Sequence, residues 1–297
     1  MNEKILLVQV LVGIFLYVNC VMIFTFFKKE AFHNNVRYIF FAHILFCDSL
    51  LLILTNILLL LSHYHILMLV RLCLCFYMLM STLKFSTPLT LMAMSLERYV
   101  AICLPLRHAE ISTPSKAIRC IPVIHALSSI QLIIISSIFI YSVPLSFYTT
   151  EKLCNVELII VHKWQGNLRA AISQLYFLVM SSVIVFTYVK IMAAAKLAST
   201  DNKKSATKGL RTVALHGIQL LLCLIQLWCP FIETAIMETD YKLFRLLRYF
   251  NYIAFILAPR CLSPLVYGLR DEKFFMVLKY YALCGLKKKT SPASDDL

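Results

Sequence analysis

Four charged side chains stand inside long apolar stretches of this sequence: Asp48, Lys84, Glu233 and Arg260. An ionised group in hydrocarbon is costly, so such residues mark ion pathways, ligand counter-charges or switching pairs. Three histidines, His43, His125 and His216, are placed similarly, each in a different run. Histidine can act as a general base or a metal ligand, but a residue alone in its run reads more simply as a polar group satisfied in helix packing. Catalysis by a nucleophile and base, or at a metal, needs a supporting constellation. The chain has no HExxH, no GxSxG and no phosphate-binding loop. Of its 11 cysteines, most (Cys20, Cys47, Cys103, Cys120, Cys223, Cys229 and Cys261) lie within apolar runs as small hydrophobes. We therefore expect no enzymatic activity, no cofactor and no bound metal.

Composition sets the elements that carry these residues. Of 297 residues, 60% are hydrophobic and only 15% charged, with a mean hydropathy of +0.79. A soluble domain has about 25% charged residues, so a bilayer is the natural solvent. A spanning helix needs about 20 mostly apolar residues, and seven such runs recur, roughly 5–27, 38–61, 67–103, 118–147, 168–195, 213–236 and 248–269. The alternating short segments of a membrane barrel are missing. The expected fold is thus an all-α membrane protein, a single domain over 1–297 built as a seven-transmembrane helix bundle. The first run is too long for a signal-peptide core and reads as a retained helix.

The net charge of +14 is distributed between the runs, not along a stripe, which argues against a nucleic-acid partner. Lys and Arg number three in 28–37, four in 98–119, six in 190–211 and six in 270–297, against eight in the alternate segments. The excess marks the cytoplasmic side, giving an outside N-terminus and an inside C-terminus. After the seventh run, 271–283 carries Phe274, Phe275, Leu278 and Tyr281 at helical spacing. That pattern suits an amphipathic juxtamembrane helix on membrane lipids. Cys284 and the basic tail 284–297, with Lys287, Lys288 and Lys289, would add a possible palmitoyl anchor and a polybasic patch.

The third run ends in Met92-Ala-Met-Ser-Leu-Glu-Arg-Tyr-Val-Ala-Ile-Cys-Leu-Pro-Leu-Arg-His108, and the seventh contains Pro259-Arg-Cys-Leu-Ser-Pro-Leu-Val-Tyr-Gly-Leu-Arg-Asp271. Both closely resemble signatures of odorant receptors, a family of the rhodopsin-like (class A) G-protein-coupled receptors. The first matches the Asp/Glu-Arg-Tyr region, with Glu97, Arg98 and Tyr99. The second is similar to the Asn-Pro-x-x-Tyr region, with Ser263 in place of Asn, then Pro264 and Tyr267. Trp228 and Pro230 resemble the Trp-x-Pro toggle, and Lys208, Thr212 and His216 a further odorant-receptor pattern in helix six. Thr187-Tyr188 fits the helix-five pattern, and Asn19 and Asp48 the polar positions of helices one and two. The set is most similar to fish-type odorant receptors. His125 departs from it, standing near where the class carries Trp.

The resemblance implies a small-molecule odorant as ligand, a heterotrimeric G protein as partner (the stimulatory, cyclic-AMP-raising type) and the cell membrane of olfactory cilia as location. It implies that Glu97 holds Arg98 at rest, with Tyr188 and Tyr267 nearby. It also implies a disulfide between Cys73 and Cys154, with Cys75 as rival partner. Lys84 is 11 residues from Cys73 and 14 from Arg98, close to whole helical turns, so it looks into the bundle. Met80, Ser81, Tyr176, Trp228, Phe231 and Tyr252 are its expected cavity neighbours. Glu233 could pair with Lys84; an unpaired lysine would suit an anionic ligand. Arg260 shares a face with Pro264, which the resemblance packs against helix two, so it is expected to pair with Asp48, or else to turn upward and bind a ligand carboxylate or backbone carbonyls. A receptor for another small molecule or a peptide is the runner-up; an amine receptor would want an acid where Met80 sits. A transporter fits less well, since no internal repeat is visible.

Overall fold

A computed structural model describes residues 3–28, 30–198, 217–218, 221–229, 232–233, 235–236 and 240–260. The helices are α1 (Glu3–Lys28), α2 (Glu30–His33), α3 (Val36–His63), α4 (Val70–Cys103), α5 (Pro105–Ile111), α6 (Pro114–Ser142), α7 (Lys163–Ala198) and α8 (Tyr241–Asn251). Residues 221–229 are also helical, and α8 continues into a π-helical turn, Tyr252–Leu257. Among the described residues, five helices are long and apolar enough to cross a membrane: α1, α3, α4, α6 and α7. The juxtamembrane segment 271–283 and Cys284 lie outside the described residues.

Local chemistry sets several helix ends. Asn35 caps α3 by accepting from the Arg37 amide, and Thr113 caps α6, with Pro114 in its first turn. Proline there supplies a ready φ and removes an N–H that has no helical partner. α6 stops at Ser142, inside the apolar run 118–147, where Val143 is extended and Pro144 leads into a 3-10 turn. α7 starts at Lys163, ahead of the run at 168, because Gln165 Oε1 accepts the amides of Val161 and His162. α8 starts at Tyr241, well before 248, where Asp240 caps the amides of Lys242 and Leu243. Hydropathy finds where a helix is apolar, whereas these caps decide where it begins.

α4 is the central helix and packs against α3, α6 and α7, while α1 packs on α3. Its inner half contributes Phe85, Leu89, Leu91 and Met94 to one buried cluster with Phe41, Ile44, Ile124 and Met180. A second cluster, with Val70, Tyr77, Ile135, Phe139 and Ile159, fills the other end. Many large apolar side chains face outward on α1, α6 and α7, among them Leu6, Phe27, Ile133, Ile140, Leu175 and Val185, as a lipid-facing surface requires. Pro88 and Pro122 sit within α4 and α6; packed neighbours let membrane helices tolerate the lost hydrogen bond.

At the end where α4 begins, Met68–Leu69 pairs antiparallel with Glu151–Lys152. Cys73 is bonded to Cys154 with a Cα separation of 5.4 Å. Strand pair and disulfide together tie the 151–154 loop onto the head of α4. Cys75 is a free thiol, exposed on another side of that helix.

Candidate functional site

The centre of the bundle holds a buried polar knot. Asp48 on α3 and Arg260, in the helix that follows the π turn, are both almost wholly buried, with Arg260 Nε 3.4 Å from Asp48 Oδ1. Thr87 on α4 donates to the same carboxylate oxygen at 2.8 Å. Arg260 Nη1 donates to the carbonyl of Ile256 at 2.6 Å and to Gln226 Oε1 at 3.4 Å. The carbonyl belongs to the π turn, so the guanidinium braces the place where the regular helix is interrupted. Arg260 thus faces Asp48 through Nε while its Nη1 also takes a backbone carbonyl, so features of both expected arrangements are present. Asn19 is also fully buried, but its amide donates to Ser49, the neighbour of Asp48, at 3.1 Å. Gln226 was not anticipated; its signal was a lone amide in the apolar stretch Leu221–Cys229, two residues before Trp228.

At the other end of α4, Arg98 is buried and Glu97 partly exposed. Consecutive helical residues point about 100° apart, and Glu97 turns outward. Its Oε1 accepts from His108 Nε2 of α5 at 3.3 Å. Among the described residues Glu97 thus links α4 to α5 through His108. Tyr99 packs its ring 5.6 Å from Phe186 of α7, whereas Tyr188 is exposed. His216, Pro230, Phe231, Ser263, Pro264 and Tyr267 lie outside the described residues, as do Lys208 and Thr212.

Lys84 faces the bundle, within electrostatic reach of Arg169, Glu233 and Arg260. Among the described residues it makes no hydrogen bond or ion pair. Glu233 is engaged elsewhere: it accepts from Asn251 Nδ2 at 2.9 Å and lies 3.9 Å from Arg248 Nε. Arg169 of α7 sits beside both Lys84 and Tyr77. Its Nε is buried without a hydrogen-bond partner. Ser81 also adjoins Tyr77.

The other proposed cavity residues do not converge on Lys84. Met80 packs with Leu51, Leu54 and Leu83. The Tyr176 hydroxyl donates to the carbonyl of Leu127 on α6, with its ring against Phe85. Tyr252 packs with Val8, Val12 and Leu52. Trp228 is 41% exposed and meets Phe177 edge-on at 5.8 Å. One grouping was not foreseen at all: His43 and Cys47 of α3 and His125 of α6 bring their side-chain donor atoms within 4.8 Å of one another.

Residues 18–267 match the rhodopsin family of seven-transmembrane receptors. The chain is 47% identical over 287 residues to Odorant receptor 131-2 of Danio rerio, covering 96% of this chain and 88% of that protein. It is also similar to Galanin receptor 2a of Danio rerio, 26% identical over 67% of this chain and 55% of the relative. Galanin receptor 2b of Danio rerio is 25% identical over 69% of this chain and 54% of the relative. The near-complete match to one odorant receptor exceeds the partial matches to peptide receptors in both identity and coverage, and the two signature stretches in the third and seventh runs point the same way. The chain belongs to the rhodopsin family of seven-transmembrane receptors, as a G-protein-coupled receptor of the odorant-receptor kind.

Proposed function

We propose that this chain detects a small odorant from outside the cell and activates a heterotrimeric G protein of the stimulatory type, raising cyclic AMP. The observation that carries the reading is the 47% identity to an odorant receptor across 96% of the chain. The buried Arg98 at the α4–α5 end supplies a cation that can be presented to a G protein when the helices part. The N-terminus lies outside and the C-terminus inside. The Lys and Arg distribution supports that orientation, and so does the disulfide at the head of α4, because disulfides persist on the oxidising side of a membrane.

The ligand class is anionic. Lys84 and Arg169 place two cationic groups near each other inside the bundle. Glu233, the nearby acid, is held by Asn251 and Arg248. A carboxylate or sulfate ester entering from the outer end would supply the missing counter-charge, and Arg offers it a bidentate grip. The test is a cyclic-AMP reporter screen in cells expressing the chain, with matched acids, alcohols and amines. Acids should activate and amines should not. A cyclic-AMP response confined to neutral or cationic odorants would reject the anionic class. No response with any coupling partner, at verified surface expression, would reject the receptor reading.

A further inference from the structure

We propose that His43, Cys47 and His125 form a transition-metal site, for a borderline-soft divalent cation of the zinc type, at the seam of α3, α4 and α6. His43 and Cys47 are four residues apart on α3, so they share a face. His125 reaches them from α6. The Nε2 atoms of His43 and His125 are 3.0 Å apart, and Cys47 Sγ is 3.5 Å from His43 Nε2. A zinc ion with bonds of about 2.0–2.1 Å to nitrogen and about 2.3 Å to sulfur, at tetrahedral angles, sets its ligands about 3.3 Å apart for two nitrogens and about 3.6 Å apart for nitrogen and sulfur. Two edges of that polyhedron are thus nearly in place. Rotation of the partly exposed His125 ring closes the third and gives the ion a way in.

The surrounding hydrogen bonds prepare His43 as a ligand. Thr90 Oγ1 donates its only proton to the Ser86 carbonyl at 2.7 Å. It can therefore only accept from His43 Nδ1, 3.1 Å away. The proton of neutral His43 is fixed on Nδ1, and Nε2 presents its lone pair to the other two ligands. A metal-bound histidine commonly has this arrangement, its second nitrogen donating to an oxygen. Without a metal, the single lone pair on His43 Nε2 faces two candidate donors, His125 Nε2–H and Cys47 S–H. A cation relieves that competition.

Binding balances simply. The Cys47 thiol gives up its proton to solvent and binds as thiolate, and the His125 proton moves from Nε2 to Nδ1. A water or hydroxide completes the four-coordinate shell. Cys47 precedes Asp48, and Ser86, 3.7 Å from Cys47 Sγ, precedes Thr87. The ion would therefore clamp α6 to the same α3–α4 pair that holds the buried polar knot.

The experiment uses the full-length receptor in lipid nanodiscs, stripped with a chelator and titrated with Zn2+ or Co2+ alone. One equivalent of either should bind. Co2+ should give a thiolate-to-cobalt charge-transfer band. X-ray absorption fine structure of the zinc form should show one sulfur and two imidazoles. Cys47→Ser should abolish the band, His125→Gln should weaken binding at least tenfold, and Thr90→Val should weaken it about 10–100-fold. A wild-type protein without the band, a shell with no sulfur or with two, or a band that survives Cys47→Ser overturns the site. If the variants do not fold, the wild-type fine structure alone decides.

Discussion

Asp48 and Arg260 face each other at 3.4 Å with almost no exposure to solvent, and Thr87, Gln226 and the Ile256 carbonyl hydrogen-bond to the pair. A buried guanidinium remains charged, so the carboxylate is what makes its position tolerable. Removing one partner of such a pair costs about 3–5 kcal/mol, because the other charge is stranded. Asp48→Asn should therefore lower the melting temperature of purified receptor strongly. The double variant Asp48→Asn, Arg260→Gln should recover much of the loss. The guanidinium also occupies the carboxylate that a sodium ion would otherwise seek, so agonist potency should be the same in sodium and choline buffers. Equal melting of the single and double variants would show that the two charges are not coupled.

The disulfide closes 81 residues of chain separation between Cys73 and Cys154. Loss of a native disulfide commonly costs about 2–5 kcal/mol. Cys73→Ser and Cys154→Ser should each sharply reduce surface expression, and the double variant should be no worse than either single one. Surface staining on unpermeabilised cells reads this directly. Strictly additive losses would mean that the two thiols act separately.

Arg98→Ala should abolish the cyclic-AMP response while surface expression stays near normal. His108→Ala should leave both close to wild type, since a partly exposed pair such as Glu97 with His108 contributes only about 0–1 kcal/mol. This contrast separates the buried cation from the surface link beside it. Full signalling by Arg98→Ala at normal expression would falsify the coupling role of that arginine.

The pairing of Asp48 with Arg260 was legible because Arg260 shares a helix face with Pro264, and the family resemblance implies that this face packs against the helix of Asp48. The spans of α1, α3 and α4 were legible because length and hydropathy define them. What escaped was whatever depends on rotation about a helix axis or on a cap. Glu97 and Arg98 are neighbours in the chain, yet the helix points them apart, and Glu97 meets His108 eleven residues on. Tyr176 was itself a proposed cavity residue but spends its hydroxyl on the Leu127 carbonyl. His43 and His125 sit in different runs, and only the packing of α3 against α6 brings their nitrogens within 3.0 Å. The apolar run begins at 168, whereas Gln165 begins α7 at Lys163 and so sets Arg169 well inside the helix.

Lys84 and Arg169 give the final prediction. Two cations in a low-dielectric bundle repel each other, and an anion between them turns repulsion into two attractions. Lys84→Met keeps the apolar stem and removes the charge. It should lower potency towards carboxylate odorants by about 10–100-fold, the equivalent of about 1.5–3 kcal/mol for hydrogen bonds to charged groups. Arg169→Met should act in the same direction. Neutral odorants of the same carbon skeleton, such as the matching methyl esters, should gain or hold potency in both variants, because desolvating the lysine is no longer required. A structural role for Lys84 would instead depress all ligands alike, together with surface expression. Dose–response curves for an acid and its ester on the wild type and the two variants distinguish these outcomes. Unchanged potency of the acids on Lys84→Met would remove that lysine from the binding site.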